Sequence, residues 1–146
     1  MIEPIVITIP GKMLGKGRPR FSARDRNGQP LKFVRTFTDS RTEDMETWVR
    51  ACADKVFSGP PLEGPLAMAM DIVVMIPASW SKKKQAAAQA GQLLPTGKPD
   101  LDNTTKLIAD ALNQIVWKDD SQIASMRLNK RYGLTPQTTL TITRLG

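Results

Sequence analysis

The sequence predicts an α/β (α+β) chain in which about four to five strands share the length with about three helices. Two observations carry that prediction. Runs rich in β-branched residues and bounded by Pro or Gly recur along the chain, as in "IVITIP", "LAMAMDIVVMIP" and "QTTLTITRL". Between them, "RTEDMETWVRACADKVF" and "DNTTKLIADALNQIV" place apolar residues at helical spacing. The length agrees, because 146 residues bury a core without staples, and residues 1–146 read as a single domain.

"IVITIP" closes on Pro10-Gly11 and reads as the first strand. Residues 11–38 form a long basic loop, mobile and rich in Gly, Pro and Arg, which ends in a short extended piece around "KFVRTFT". Asp39 or Ser40 then caps a helix with Met45, Trp48, Val49, Cys52 and Val56 on its apolar side. "SGPPLEGP" stops it. The almost wholly apolar "LAMAMDIVVMIP" reads as a central strand. A short helix follows, capped by Ser79 or Ser81 and closed near Gly91. The third helix buries Leu107, Ile108, Ala111, Leu112 and Ile115. "SQIASMRLNKRYG" and "QTTLTITRL" close the chain as two strands, expected to form a hairpin turning at Gly133–Pro136.

Composition narrows the chemistry. The chain has no histidine, so imidazole bases, Ser-His-Asp triads and His-ligated metals are excluded. A single cysteine, Cys52, forbids an intrachain disulfide or a multi-Cys zinc site and reads as a small buried apolar residue. The 21 Lys and Arg against 14 Asp and Glu give +7, a surface that favours polyanions. "MIEPIVITIPG" has an acid where a signal peptide wants base, and no run approaches bilayer length. A cytoplasmic protein with no membrane partner is expected.

Against that basic background, "KPDLDNTTKLIADAL" sets two acids side by side. Pro99 biases the entry towards extended chain, which would turn Asp100 and Asp102 to one side about 7 Å apart, with Leu101 facing the core. Asp102 sits at or beside the helix N-cap, and Lys106 and Asp110 return to the same side at successive turns. In a bland reading, the aspartates cap and turn while Lys106 and Asp110 form an exposed ion pair. "VWKDD" adds Asp119 and Asp120 at an element boundary, where adjacent like charges make a poor structural device. Carboxylates gathered without histidine suit Mg²⁺, with Mn²⁺ as a substitute. On a basic surface such a cation would activate water beside a scissile phosphate, with Lys106 contacting the phosphate or that water.

The cations have their own distribution. Lys12, Lys16, Arg18, Arg20, Arg24 and Arg26 punctuate the glycine-rich loop around Phe21 and are candidates for holding phosphates. Lys82, Lys83 and Lys84 open the short helix, where the dipole disfavours them, and Arg127, Lys130 and Arg131 form a third patch. "GKGRPR" is not a Walker A sequence, so no nucleotide cofactor is expected.

"DLDN", Lys106, "DAL" and then "VWKDDSQI", with "GKGRPRF" and "TFTDSRTEDMETWV" upstream, resemble the RusA family of Holliday-junction resolvases. The resemblance implies a RusA-like fold with a small mixed sheet, and a homodimeric, magnesium-dependent endonuclease of bacteria and their prophages acting on branched DNA in recombination and repair. The family's metal-binding acids fall on Asp100, Asp102 and Asp120, with Asp119 beside them, and its active-site lysine on Lys106. "TGKPDLDN" is less arginine-rich than in some relatives, and the loop from Gly11 is the expected substitute. The alternative is a branched-DNA-binding module without catalysis.

Overall fold

The computed structural model describes residues 3–17, 20–24, 27–37 and 40–146, the side chains of residues 20–24 and 31–37 excepted. The elements run β1 (Ile5–Pro10), β2 (Arg20–Arg24), β3 (Pro30–Phe37), α1 (Ser40–Asp54), β4 (Leu66–Met75), α2 (Lys82–Gln89), α3 (Leu101–Leu112), β5 (Ile123–Gly133) and β6 (Gln137–Arg144). Four strands form a mixed sheet in the order β1-β6-β4-β5. The fold is α+β, as expected. β4 and β5 are parallel, so the chain between them makes a crossover through α2 and α3.

Alternation along the strands explains the single core. Ile7, Leu140, Met70 and Leu128 align in register across all four strands. Ile7, Leu140 and Met70 are fully buried, and the helices cover that side. α3 presents Leu107, Ile108, Ala111 and Leu112 to the core, and α1 packs on α3 and β1 through Val49, Cys52 and Ala53. The intervening strand positions carry Ala67, Ala69, Thr139 and Thr141, which are only partly covered.

Four local expectations are corrected. The two closing strands do not pair with each other, because β4 lies between them and pairs with both. The basic loop is not one irregular stretch, since β2 and β3 form an antiparallel two-stranded sheet within it. Nor is its first part mobile: Met13 is buried, and Gly17 N–H donates to buried Thr42 at 2.8 Å. α1 ends at Asp54, leaving Val56 55% exposed rather than on the apolar stripe. Ser81 is the cap of α2, accepting from Lys84 N–H at 3.2 Å.

Candidate functional site

Residues 13–17 are clamped along the N-terminal half of α3. Lys16 N–H donates to the Asn103 carbonyl at 3.0 Å, and Thr104 Oγ1 donates to the Leu14 carbonyl at 3.3 Å. A Cβ on Gly15 would stand 2.9 Å from Asn103 Cβ, so this approach requires glycine. The clamp and the helix end enclose a groove of about 370 Å³ lined by Lys12, Lys16, Arg41, Lys98, Asp100 and Asn103, among others.

At the groove, Asp100 rather than Asp102 is the N-cap of α3. Its φ of −77° and ψ of 128° are extended, and its Oδ1 accepts from Asp102 N–H at 2.9 Å. The expected extended D-L-D segment is therefore corrected, because the helix already begins at Leu101. The geometry leaves Asp102 in the first turn with its carboxylate exposed and without a protein partner among the described residues. Lys106 lies one turn further on and is also exposed. Negative charge here is favoured by the helix end, which tolerates two acids where an open surface would not.

Lys106 does not pair with Asp110 as the bland reading had it. Lys16 does, and its Nζ also lies 3.7 Å from Glu46 Oε1. The Asp110 hydrogen bond raises the Lys16 pKa above the ordinary lysine range, although partial burial opposes it. Lys16 is thus a structural cation first.

The second acidic group is built around Trp117, which is wholly buried and donates its indole N–H to Asn113 Oδ1 at 2.9 Å. That anchor delivers Asp119 and Asp120 to a 3₁₀ turn, Asp120–Gln122, entering β5. Asp119 accepts from Ser121 N–H at 3.0 Å, and these bonds hold its pKa below the usual carboxylate range. Gln122 latches the turn, accepting from Lys118 and Asp119 N–H and donating to the Leu62 and Gly64 carbonyls.

These two groups lie at opposite ends of the fold. Asp100 caps and Asp102 opens a 12-residue helix, about 18 Å long at 1.5 Å per residue, and Asp119 and Asp120 follow it. β5 gives an independent measure. Lys130 Nζ donates to the Gly97 carbonyl at 2.8 Å, placing the Asp100 end beside Lys130. Ile123, next to the second group, is seven strand steps away, about 23 Å. Accordingly, among the described residues no group of three or more Asp, Glu or Cys side chains could hold a metal ion. A single chain does not make the four aspartates converge.

Of the candidate phosphate contacts, Lys12 lines the groove beside Asp100, and Lys130 lines a neighbouring depression that shares Lys98, Asp100 and Asn103 with it. Lys82, Lys83, Lys84 and Arg127 are exposed, and Arg131 Nε donates to Asp71 Oδ2 at 2.9 Å. Arg18 and Arg26 lie outside the described residues, as do the side chains of Arg20 and Arg24. Sequence reasoning missed Lys98 and Arg41. Lys98 adjoins the acidic motif and was open to selection on that ground. Arg41 arrives from the first turn of α1 and has no local signal.

Residues 10–143 match a family model described as "Endodeoxyribonuclease RusA". The chain is also similar to "Uncharacterized protein YqaN" of Bacillus subtilis (strain 168), 34% identical over 138 residues, 93% of each chain.

Proposed function

We propose, on the premise that this chain belongs to the RusA endodeoxyribonuclease family, that it resolves four-way DNA junctions by paired nicks, as a homodimer dependent on Mg²⁺. One observation carries the reading: Asp102 and Lys106 stand exposed on one edge of α3, beside a groove lined by Lys12, Arg41 and Lys98. A phosphodiester laid there meets cations that draw it in, and an acid, Asp102, that holds no cation among the described residues. Recombination and repair in the cytoplasm are the context that suits such a substrate.

The donor set fits a hard divalent cation, being carboxylate oxygens without histidine or thiolate. Asp100 and Asp102 supply oxygens from one end of the chain, and Asp119 and Asp120 of the partner subunit would complete the set. Two copies related by a two-fold axis, with α3 and β5 running antiparallel across it, bring unlike ends together twice. Such a dimer offers two equivalent sites, as paired cuts in opposed strands require. When bound, Mg²⁺ would lower the pKa of a water and withdraw charge from the phosphate. Lys106, one turn from Asp102, is positioned to hold a non-bridging phosphate oxygen.

The test is cleavage of a synthetic four-way junction, with and without Mg²⁺, by the parent and by Asp102→Asn. We expect symmetric nicks only with metal, and a loss on the order of 100-fold or more in the variant, the scale seen when one preorganised charge-stabilising group is removed. Equal rates would remove Asp102 from the site. The second reading, binding without catalysis, is favoured by the separation of the acids within one chain. Salt-sensitive junction binding with no cleavage at any metal concentration would establish it.

A further inference from the structure

Trp80 and Tyr132 come from segments 52 positions apart, yet their rings meet edge to face at 5.2 Å and 69°. Lys84 Nζ lies 4.0 Å from the centre of the Trp80 ring. Trp80 is half-buried, and its indole N–H has no acceptor among the described residues. Its backbone is fixed: Trp80 N–H donates to the Pro77 carbonyl at 3.2 Å, and the Gln85 amide donates to the Trp80 carbonyl at 2.8 Å.

Around it the charge has one sign. α2 carries Lys82, Lys83 and Lys84 in its first turn and has no acidic residue in its length. β5 adds Lys130, two strand steps or about 7 Å from Tyr132. Lys130 also borders the depression that contains Gly97, Lys98, Asp100 and Asn103. The aromatic pair therefore lies at the same end of β5 as the Asp100–Asp102 group, and Lys130 stands between the two on a basic rim.

We infer that Trp80, backed by Tyr132 and flanked by Lys82, Lys83 and Lys84, is a stacking site for a base exposed at the branch point of DNA. The inference rests on the proposed nuclease reading and names how a branch is distinguished from a duplex there. In a continuous duplex both faces of each base are covered by neighbours. At a branch that stack is interrupted, and an aromatic ring beside a phosphate-binding rim replaces the missing neighbour without reading sequence. Lys84 covers the ring in the free protein through a weak exposed cation–π contact, and it swings to a phosphate when the base arrives.

The experiment places 2-aminopurine at the branch of a synthetic junction and, separately, inside a linear duplex, and titrates each with full-length protein in Mg²⁺-free buffer. Emission from the branch should fall on binding by the parent and by Trp80→Phe, and should stay unquenched with Trp80→Leu. The latter should also lose junction affinity on the order of tenfold. Trp48→Leu is the control, since Trp48 is an exposed tryptophan on α1 that donates to the Pro10 carbonyl, away from this rim. Thermal melts by circular dichroism confirm that each variant is folded. If Trp80→Leu keeps the parent's quenching and affinity, or if Trp48→Leu loses as much, the stacking site is wrong while the nuclease reading stands. Equal quenching in the linear duplex overturns its preference for branches. A parent that binds neither DNA overturns both readings.

Discussion

Asp100 places a carboxylate oxygen on the Asp102 amide at 2.9 Å, while Asp102 keeps its own carboxylate exposed, so two like residues at one helix end have unlike uses. The D-x-D spacing displayed both candidates in the sequence, because a cap and an exposed acid are local features. The Lys16–Asp110 pair was illegible for the opposite reason: its partners are 94 positions apart, and only the packing of residues 13–17 on α3 brings them together. That pair has a pH signature. Lys16 has a raised pKa in the folded chain, so its contribution is complete below the unfolded value of about 10.4 and is lost as pH rises through the folded value. Partial exposure limits the contribution to about 0.5–1 kcal/mol. Lys16→Met should therefore lower the urea midpoint at pH 8, and its deficit against the parent should shrink as pH passes the raised folded value. A deficit unchanged across that range would assign the loss to packing instead.

Elements were legible where one face alone decides them. The periodic apolar side of α3 is the buried side, and β4, whose apolar run reads as a central strand, is flanked on both edges. Which strands flank it was not legible. Residues 134–136 between β5 and β6 look like a hairpin turn, yet they also suffice to step over the end of β4, since two strand spacings are only about 10 Å. Gly133 marks that crossing. A Cβ there would lie 2.5 Å from Val73 Cγ1, closer than packed carbons approach. Gly133→Ala should cost about 1–3 kcal/mol by overpacking, read as a lower melting temperature. A variant as stable as the parent would show that Val73 has room to turn away.

At the scale of the whole molecule, one fact governs the chemistry: α3, about 18 Å long, separates the two acidic groups. Under the proposed dimer, each site draws Asp102 from one subunit and Asp120 from the other. Asp102→Asn and Asp120→Asn should each be inactive alone. Mixed and re-annealed, they should regain nicking, because a heterodimer concentrates both defects in one site and leaves the other intact. Recovered products should be single nicks rather than paired cuts. No recovery from a mixture shown to contain heterodimers would mean that the sites are not shared.

The strand order also has a consequence for biosynthesis. β6 joins β1 to β4, and on a ribosome its residues emerge after every other strand and helix described here. Until they do, β1 has no neighbour in the sheet and β4 has a bare edge. A nascent chain stalled before residue 137 would hold the residues named as reactive without a closed scaffold beneath them, so the nuclease would be assembled only at the close of translation of this region, away from premature contact with the genome.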